Sequence, residues 1–361
     1  MWKNTEVTRR LELSAPIVQG PFGSGLSTVD LVVAVCESGL LGSFGVHHLD
    51  GKGIRAVAER IRARTPRPFA LNLWIPLHAH ETERIPDAQF AAACDLLRPY
   101  FNELGIQVPE QPAKFAPDFQ EQVEAVLDVR PAVFSFVFGI PSAEVLEKCR
   151  ARKIVTIGVA TTPAEAKALE AAGVDMIVAT GFEAGGHRPS FQQNPEESLM
   201  GTLSLVPQVV DAVKVPVIAA GGIADGRGIA AALMLGAQGA QIGTAFLACD
   251  ESAASELHRQ SLLSTAPAKT TLTRAFSGRL ARGIRNGVID DLAPHVDQLA
   301  PYPLQGWLTA HLKSAAVAAG RHDLLALWSG QSAPLVRYRR ARELIAALVE
   351  GTAASCQHWR E

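Results

Sequence analysis

Two glycine turns and one histidine are the residues of this sequence with the plainest chemical use. In Val217-Ile-Ala-Ala-Gly-Gly-Ile-Ala-Asp-Gly226 an apolar run meets Gly221-Gly222, and a helix pattern starts just after. Glycine lets backbone amides come close to an anion, and a helix N-terminus adds unpaired N–H groups and a favourable dipole. Gln241-Ile242-Gly243-Thr244 repeats the device. Together the two turns point to a phosphate-bearing ligand without saying which. No Gly-x-x-x-x-Gly-Lys-Ser/Thr loop is present, which argues against a P-loop nucleotide site. The third signal is Gly181-Phe-Glu-Ala-Gly-Gly-His187. A histidine titrates near neutrality in water, so His187 is a candidate general base if it faces a pocket. Glu183 could orient a loop, accept hydrogen bonds from backbone amides or be merely solvated, and Arg188 or another nearby cation is a candidate to stabilise a substrate anion.

These residues need elements to position them, and the sequence supplies a repeating pattern. Eight short apolar runs recur: Pro16–Gly20, Leu40–Gly45, Phe69–Trp74, Ala132–Gly139, Ile154–Ala160, Met176–Gly181, Pro216–Gly222 and Gly239–Thr244. They are apolar throughout rather than alternating, as parallel strands buried on both faces require. Helical patterns lie between them. One opens at Ser27–Asp30 and runs to Cys36. Another covers Pro163–Ala172 and stops at Gly173, and a third covers Gly226–Leu235 and stops at Gly236. Eight strand–helix repeats predict an α/β fold, a single (β/α)8 TIM barrel, over residues 1–250. An open doubly wound sheet shares the same periodicity. In a barrel, the loops after strands seven and eight often form a phosphate site, which is where the two glycine turns fall. Residues 75–131 are too long for one crossover and predict an inserted segment after strand three. Residues 251–361, with helical patterns near 306–319 and 333–350, predict a helical extension or lid packed on the barrel mouth.

Other features narrow the function classes. The 361 residues carry 34 Lys+Arg against 36 Asp+Glu, so no basic surplus points to nucleic acid or an acidic membrane. No apolar run reaches membrane-spanning length and the N-terminus lacks a signal-peptide pattern, so a cytoplasmic protein is expected. Five scattered cysteines without a Cys-x-x-Cys pair read as reduced, mostly buried thiols. His78-Ala-His80-Glu81 could be drawn as a metal cluster, but a solvated loop before Pro86 accounts for it and no metal site is expected. His47-His48 follows strand two and reads as structural. The absence of Gly-x-Ser-x-Gly leaves a serine hydrolase unsupported.

Motifs along nearly the whole chain resemble the nitronate monooxygenase (2-nitropropane dioxygenase) family. They are Pro16-Ile-Val-Gln-Gly-Pro-Phe22, Glu183-Ala-Gly-Gly-His187, Ala219-Ala-Gly-Gly-Ile-Ala-Asp-Gly226, Gln241-Ile-Gly-Thr-Ala-Phe246, Phe276-Ser-Gly-Arg279 with Arg282-Gly-Ile-Arg-Asn286, and Tyr302-Pro-Leu-Gln305. The resemblance implies non-covalent FMN at the top of the barrel. By motif position, Gly20, Pro21 and Phe22 would line the isoalloxazine and Asn72 would contact the ring. Gly185 with Gly186, Gly221 with Gly222, and Gln241, Ile242, Gly243 and Thr244 would hold ring edge, ribityl chain and phosphate. His187 takes the place of the catalytic base. Three departures stand out. Thr180 replaces a frequent Gln at one flavin contact, Gly20-Pro21-Phe22 replaces Ala-Pro-Met, and Pro189 replaces a frequent Gly.

The implied activity is oxidation of alkyl nitronates, and of nitroalkanes after His187 removes the α-proton, by O2 to carbonyl compounds and nitrite. The partners would be a small-molecule substrate and O2, and the oligomeric state is open. One alternative is an FMN-dependent NAD(P)H reductase of a quinone or enoyl thioester. Another is a flavin-binding barrel without catalysis, against which His187 argues.

Overall fold

The computed structural model describes residues 2–77, 83–264 and 269–358. Each of the eight apolar runs forms a strand, trimmed at its ends: β1 Ile17–Gln19, β2 Gly42–Gly45, β3 Phe69–Trp74, β4 Val133–Val137, β5 Val155–Ala160, β6 Met176–Thr180, β7 Val217–Ala220 and β8 Gly239–Ile242. All pairings are parallel, running in order from β2 through β8 and on to β1. A parallel bridge between Val18 and Leu41 joins β1 to the start of β2, with the Gln19 amide donating to the Leu41 carbonyl at 2.9 Å. The ring therefore closes as a (β/α)8 barrel and not as an open sheet.

Side chains pointing inward from the strands fill the barrel: Val18, Ala70, Val133, Ile157, Met176, Val178 and Ile218. The N-terminal helix Glu6–Leu11 stoppers one end with Val7 and Leu11. Polar inward positions lie nearer the other end, as Asn72 does in register with Ser135. The crossover helices start where capping chemistry puts them. Thr28 accepts from the Leu31 amide, Thr162 from Glu165, and Asp225 from Arg227 and Gly228.

The insertion after β3 contributes helices Asp87–Glu103 and Phe119–Val129. Helices Leu304–Ala318 and Ala341–His358 follow the barrel strands, and the second packs on Gly226–Met234. The extension is more than helical. Strands Thr270–Thr273 and Ala281–Ile284 form an antiparallel hairpin, and Ala281 and Arg282 pair in turn with His187 and Gly186. Thr-Thr-Leu-Thr and Ala-Arg-Gly-Ile are four residues each and too short to show an alternating pattern, which is why the hairpin is absent from the sequence reading. Among the described residues no helix is long and apolar enough to cross a membrane. Four of the five cysteines are buried, Cys356 is partly buried, and all are free.

Candidate active site

The C-terminal ends of the strands surround a cavity of about 210 Å3. Of the residues singled out from sequence, Gly20, Pro21, Phe22, Asn72, Thr180, Gly185, Gly186, His187, Gly221, Gly222, Gln241, Gly243 and Thr244 all line it. Ile242 does not. Strand alternation turns its side chain away from Gln241 and into the apolar layer with Leu31 and Val35, where it is fully buried. Only its carbonyl serves the site, accepting from the Gly20 amide at 2.9 Å and so fixing the loop after β1.

Two glycines in the turns after β7 and β8 differ physically. Gly222 has φ +71°, and a Cβ there would sit 3.3 Å from Cβ of Glu183, so the backbone itself asks for glycine. Gly243 has an ordinary φ of −104°, and a Cβ there would meet only the Phe22 ring, at 4.0 Å. Among the described residues nothing requires glycine at 243 except the open cavity it faces. Among the described residues that line it, His187 is the only Asp, Glu, Lys, Arg or His. An anion here would be held by backbone amides rather than by a guanidinium or ammonium.

Glu183 braces these turns from behind. Its carboxylate accepts from the Thr202 amide at 2.9 and 3.0 Å and lies 3.0 Å from the Thr202 hydroxyl, which is also 2.9 Å from the Gly221 carbonyl. It accepts from a backbone amide and ties the loop after β6 to the start of the next helix, so of its three readings the solvated one does not hold. Arg188 does not face the cavity. It is buried and donates to the carbonyls of Thr161, Thr180 and Ser198 and to the Ser198 hydroxyl, so the expected anion contact is not made. The guanidinium is long enough to reach back under β6, and three carbonyls there outcompete the pocket. His78-Ala-His80-Glu81 lies outside the described residues, and among these no cluster of three His, Cys, Asp or Glu could hold a metal.

His187 is held by a partner that the sequence analysis quoted only as part of a motif. Its Nε2 lies 2.8 Å from Oγ of Ser277, in the hairpin connection. The Ser277 hydroxyl also lies 3.0 Å from the Arg279 carbonyl. If the hydroxyl donates there, it accepts from His187 Nε2–H, and Nδ1 keeps its lone pair. Among the described residues Nδ1 makes no hydrogen bond. Trp74, Phe138, Tyr302 and Trp328 surround the imidazole with centroids 5.1 to 6.0 Å away. Burial among these rings, then the nearby charge of Arg279, brings the His187 pKa down to about 3. The ring is therefore neutral at pH 7. Phe138 holds its place at φ +71°, a conformation costly for a bulky residue, with the Arg279 guanidinium 4.5 Å from its ring. None of these four aromatic positions was singled out as part of the site from sequence, although Tyr302 opens one of the quoted motifs.

The C-terminal segment reaches into the cradle as well. The Ser332 hydroxyl donates to the Gly222 carbonyl, and the Gly330 amide donates to Thr244 Oγ1 at 2.9 Å.

Comparison with known proteins follows the same outline. The model of the nitronate monooxygenase family matches residues 5–351. A probable nitronate monooxygenase of Staphylococcus haemolyticus is 39% identical over 352 residues, covering 97% of each chain. One from Staphylococcus aureus strain Newman is 37% identical over 350 residues, again covering 97% of each. Among solved structures, nitroalkane oxidase from Streptomyces ansochromogenes superposes with a TM-score of 0.88 at 36% identity, covering 98% of this chain and 99% of that one. FabK from Thermotoga maritima gives 0.76 at 25% identity, covering 99% and 98%.

Proposed function

The chain belongs to the nitronate monooxygenase family, and on that premise we propose that it binds FMN and oxidises alkyl nitronates with O2 to carbonyl compounds and nitrite. It is an oxidoreductase, and both the family and the likeness to a nitroalkane oxidase support nitro compounds as its substrates. One observation carries the reading: among the described residues a single imidazole, His187, shares a cavity with paired glycine turns and no other charged or imidazole side chain.

The residues fit FMN. The turns at Gly221-Gly222 and Gly243-Thr244 would take the phosphate on backbone amides, helped by the helix beginning after Asp225. Gly20, Pro21, Phe22, Asn72, Thr180, Gly185, Gly186 and Gln241 would hold the rest. When bound, FMN supplies the redox chemistry, taking electrons from the nitronate and passing them to O2.

For a neutral nitroalkane the chain's own task comes first. His187 Nδ1 accepts the α-proton, and the C–H electron pair stays on the substrate as nitronate. The lowered pKa keeps the imidazole neutral at neutral pH, and donation from Nε2–H to Ser277 Oγ leaves the lone pair on Nδ1. The same shift also weakens the base, and the nitronate anion formed beside the imidazolium offsets this in a water-poor cavity. Ser277 positions the ring. We assign residues 251–361 the role of a lid that completes the mouth of the barrel formed by 1–250.

Anaerobic mixing of the purified flavoprotein with a nitronate tests the reaction. Bleaching of the flavin absorbance by nitronate is expected. Bleaching by NADPH with none by nitronate would overturn the reading in favour of a reductase.

A further inference from the structure

Beyond His187 the cavity continues into a second, larger compartment of about 430 Å3. The residues common to both are Ser24, Leu26, Trp74, His187 and Trp328, so two indoles stand on the boundary beside the base. Of the four rings around the imidazole, Trp74 is the nearest, with its centroid 5.1 Å away and its plane turned by 76°.

Trp74 has little freedom to leave that boundary. It ends β3, and its indole lies flat on the His47 imidazole, with centroids 3.6 Å and planes 1° apart. The Gly23 backbone comes so close that a Cβ there would stand 2.7 Å from the indole and 3.1 Å from the His47 ring. Phe138 stands nearly perpendicular to the indole with centroids 5.3 Å apart. His47 lines only the second compartment. Gln122 holds its backbone by donating to its carbonyl at 2.8 Å, but its buried Nδ1 has no hydrogen-bond partner among the described residues. Stacking on Trp74, rather than a polar partner at Nδ1, sets the orientation of this ring.

A substrate carbon that gives its proton to Nδ1 of His187 must come within about 3 Å of it. From there a bulky substituent on that carbon reaches the indole, since apolar contact extends to about 4 Å. A mobile wall yields to such a substituent, and a clamped one rejects it. In a close-fitting apolar pocket one methylene changes kcat/KM by about 10–200-fold.

We propose that Trp74, held flat by His47, is the partition that limits substrate size: it confines the substituents of the reacting carbon to the first cavity and keeps them out of the larger compartment. The kinetic form of this assignment rests on nitronate oxidation. The partition itself does not, and binding reads it alone.

Turnover is measured on the preformed nitronates of nitroethane and nitrocyclohexane, with FMN content and melting temperature determined for each variant. In the wild type kcat/KM should be about tenfold or more lower for the ring-bearing nitronate. Trp74→Ala should raise the nitrocyclohexane-to-nitroethane ratio about tenfold, and Trp74→Phe should leave it within about threefold of wild type. His47→Ala removes the clamp but leaves the indole, and should raise the ratio about two- to fivefold, whereas His47→Phe can still stack and should not. Binding is read with nitrobenzene and 2-nitrobiphenyl, which have no α-proton, by the change in flavin absorbance. The affinity of the biphenyl relative to nitrobenzene should rise about tenfold in Trp74→Ala. A wild type that treats both nitronates alike, or a folded, FMN-loaded Trp74→Ala with wild-type ratios in turnover and binding, would overturn the proposal. If Trp74→Ala does not fold, the His47 pair decides, and equal ratios in His47→Ala and His47→Phe would overturn it. Biphenyl binding as described, with no nitronate oxidised, would contradict the reaction and uphold the partition.

Discussion

Ser277 Oγ and His187 Nε2 lie 2.8 Å apart across 90 residues of sequence. Backbone pairing of Ala281 and Arg282 with His187 and Gly186 brings the hairpin to the β6 loop, and the side-chain bond then fixes the ring. A base that must meet one α-proton needs this orientation more than the fold does. Ser277→Ala should therefore lower kcat on a neutral nitroalkane about tenfold, a fraction of the ~10²–10⁴ that general-base catalysis contributes. FMN content and turnover of preformed nitronate should stay near wild type, and Ser277→Thr should restore part of the loss. Equal losses on both substrates would show that Ser277 acts on the fold rather than on the base.

The two cradle glycines separate cofactor space from backbone strain. Gly243→Val adds bulk where only the Phe22 ring lies within 4 Å, so it should lower the FMN-to-protein ratio and leave the melting temperature of the FMN-free protein unchanged. Gly222→Val should lower both, because its φ of +71° costs a β-branched residue about 1–3 kcal/mol. Absorbance and thermal melting of the two variants check this, and full FMN retention in Gly243→Val would count against the phosphate site.

How much of this was legible in the sequence depends on the range of the interaction. Strands and caps are local, and the eight apolar runs with Thr28, Thr162 and Asp225 declare themselves. The glycine turns and His187 were legible because they end strands whose tips barrel geometry gathers, whereas Gly20, Pro21, Phe22, Asn72 and Thr180 came from the family resemblance alone. The Ile242 side chain lies outside the lining because a motif names a stretch of chain while strand alternation uses every second side chain. Arg188 failed because its charge was visible and its three carbonyl partners, from separate strands and loops, were not. Ser277 and the four rings around His187 come from five separate stretches of the chain, and only the folded chain shows them together.

Buried histidines predict the response to acid. Burial pushes His258 down to about 4 and His187 to about 3, both below their unfolded value near 6.5. Between these values the unfolded chain binds more protons than the folded one, so stability falls as the pH drops from about 6.5 towards 4. Each histidine contributes a slope of up to about 1.4 kcal/mol per pH unit. His258→Gln should flatten the melting temperature against pH by one proton's worth. An unchanged slope would mean that His258 titrates normally in the folded protein.

Arg188→Met should cost about 3 kcal/mol or more, because three buried carbonyls and the Ser198 hydroxyl lose their donor. At temperatures where the variant is folded, KM for a nitronate should be close to wild type. A large rise in KM without loss of stability would instead give Arg188 the anion-binding role.

The central claim is that His187 is the base for neutral nitroalkanes, and His187→Asn tests it most directly. Steady-state kinetics are measured on a nitroalkane and on its preformed nitronate, with FMN content determined in each preparation. A preformed nitronate no longer needs its α-proton removed, so activity on the nitroalkane should fall ~10²–10⁴-fold while activity on the nitronate falls far less. Equal fractional losses at full FMN occupancy would contradict the assignment of His187 as the base.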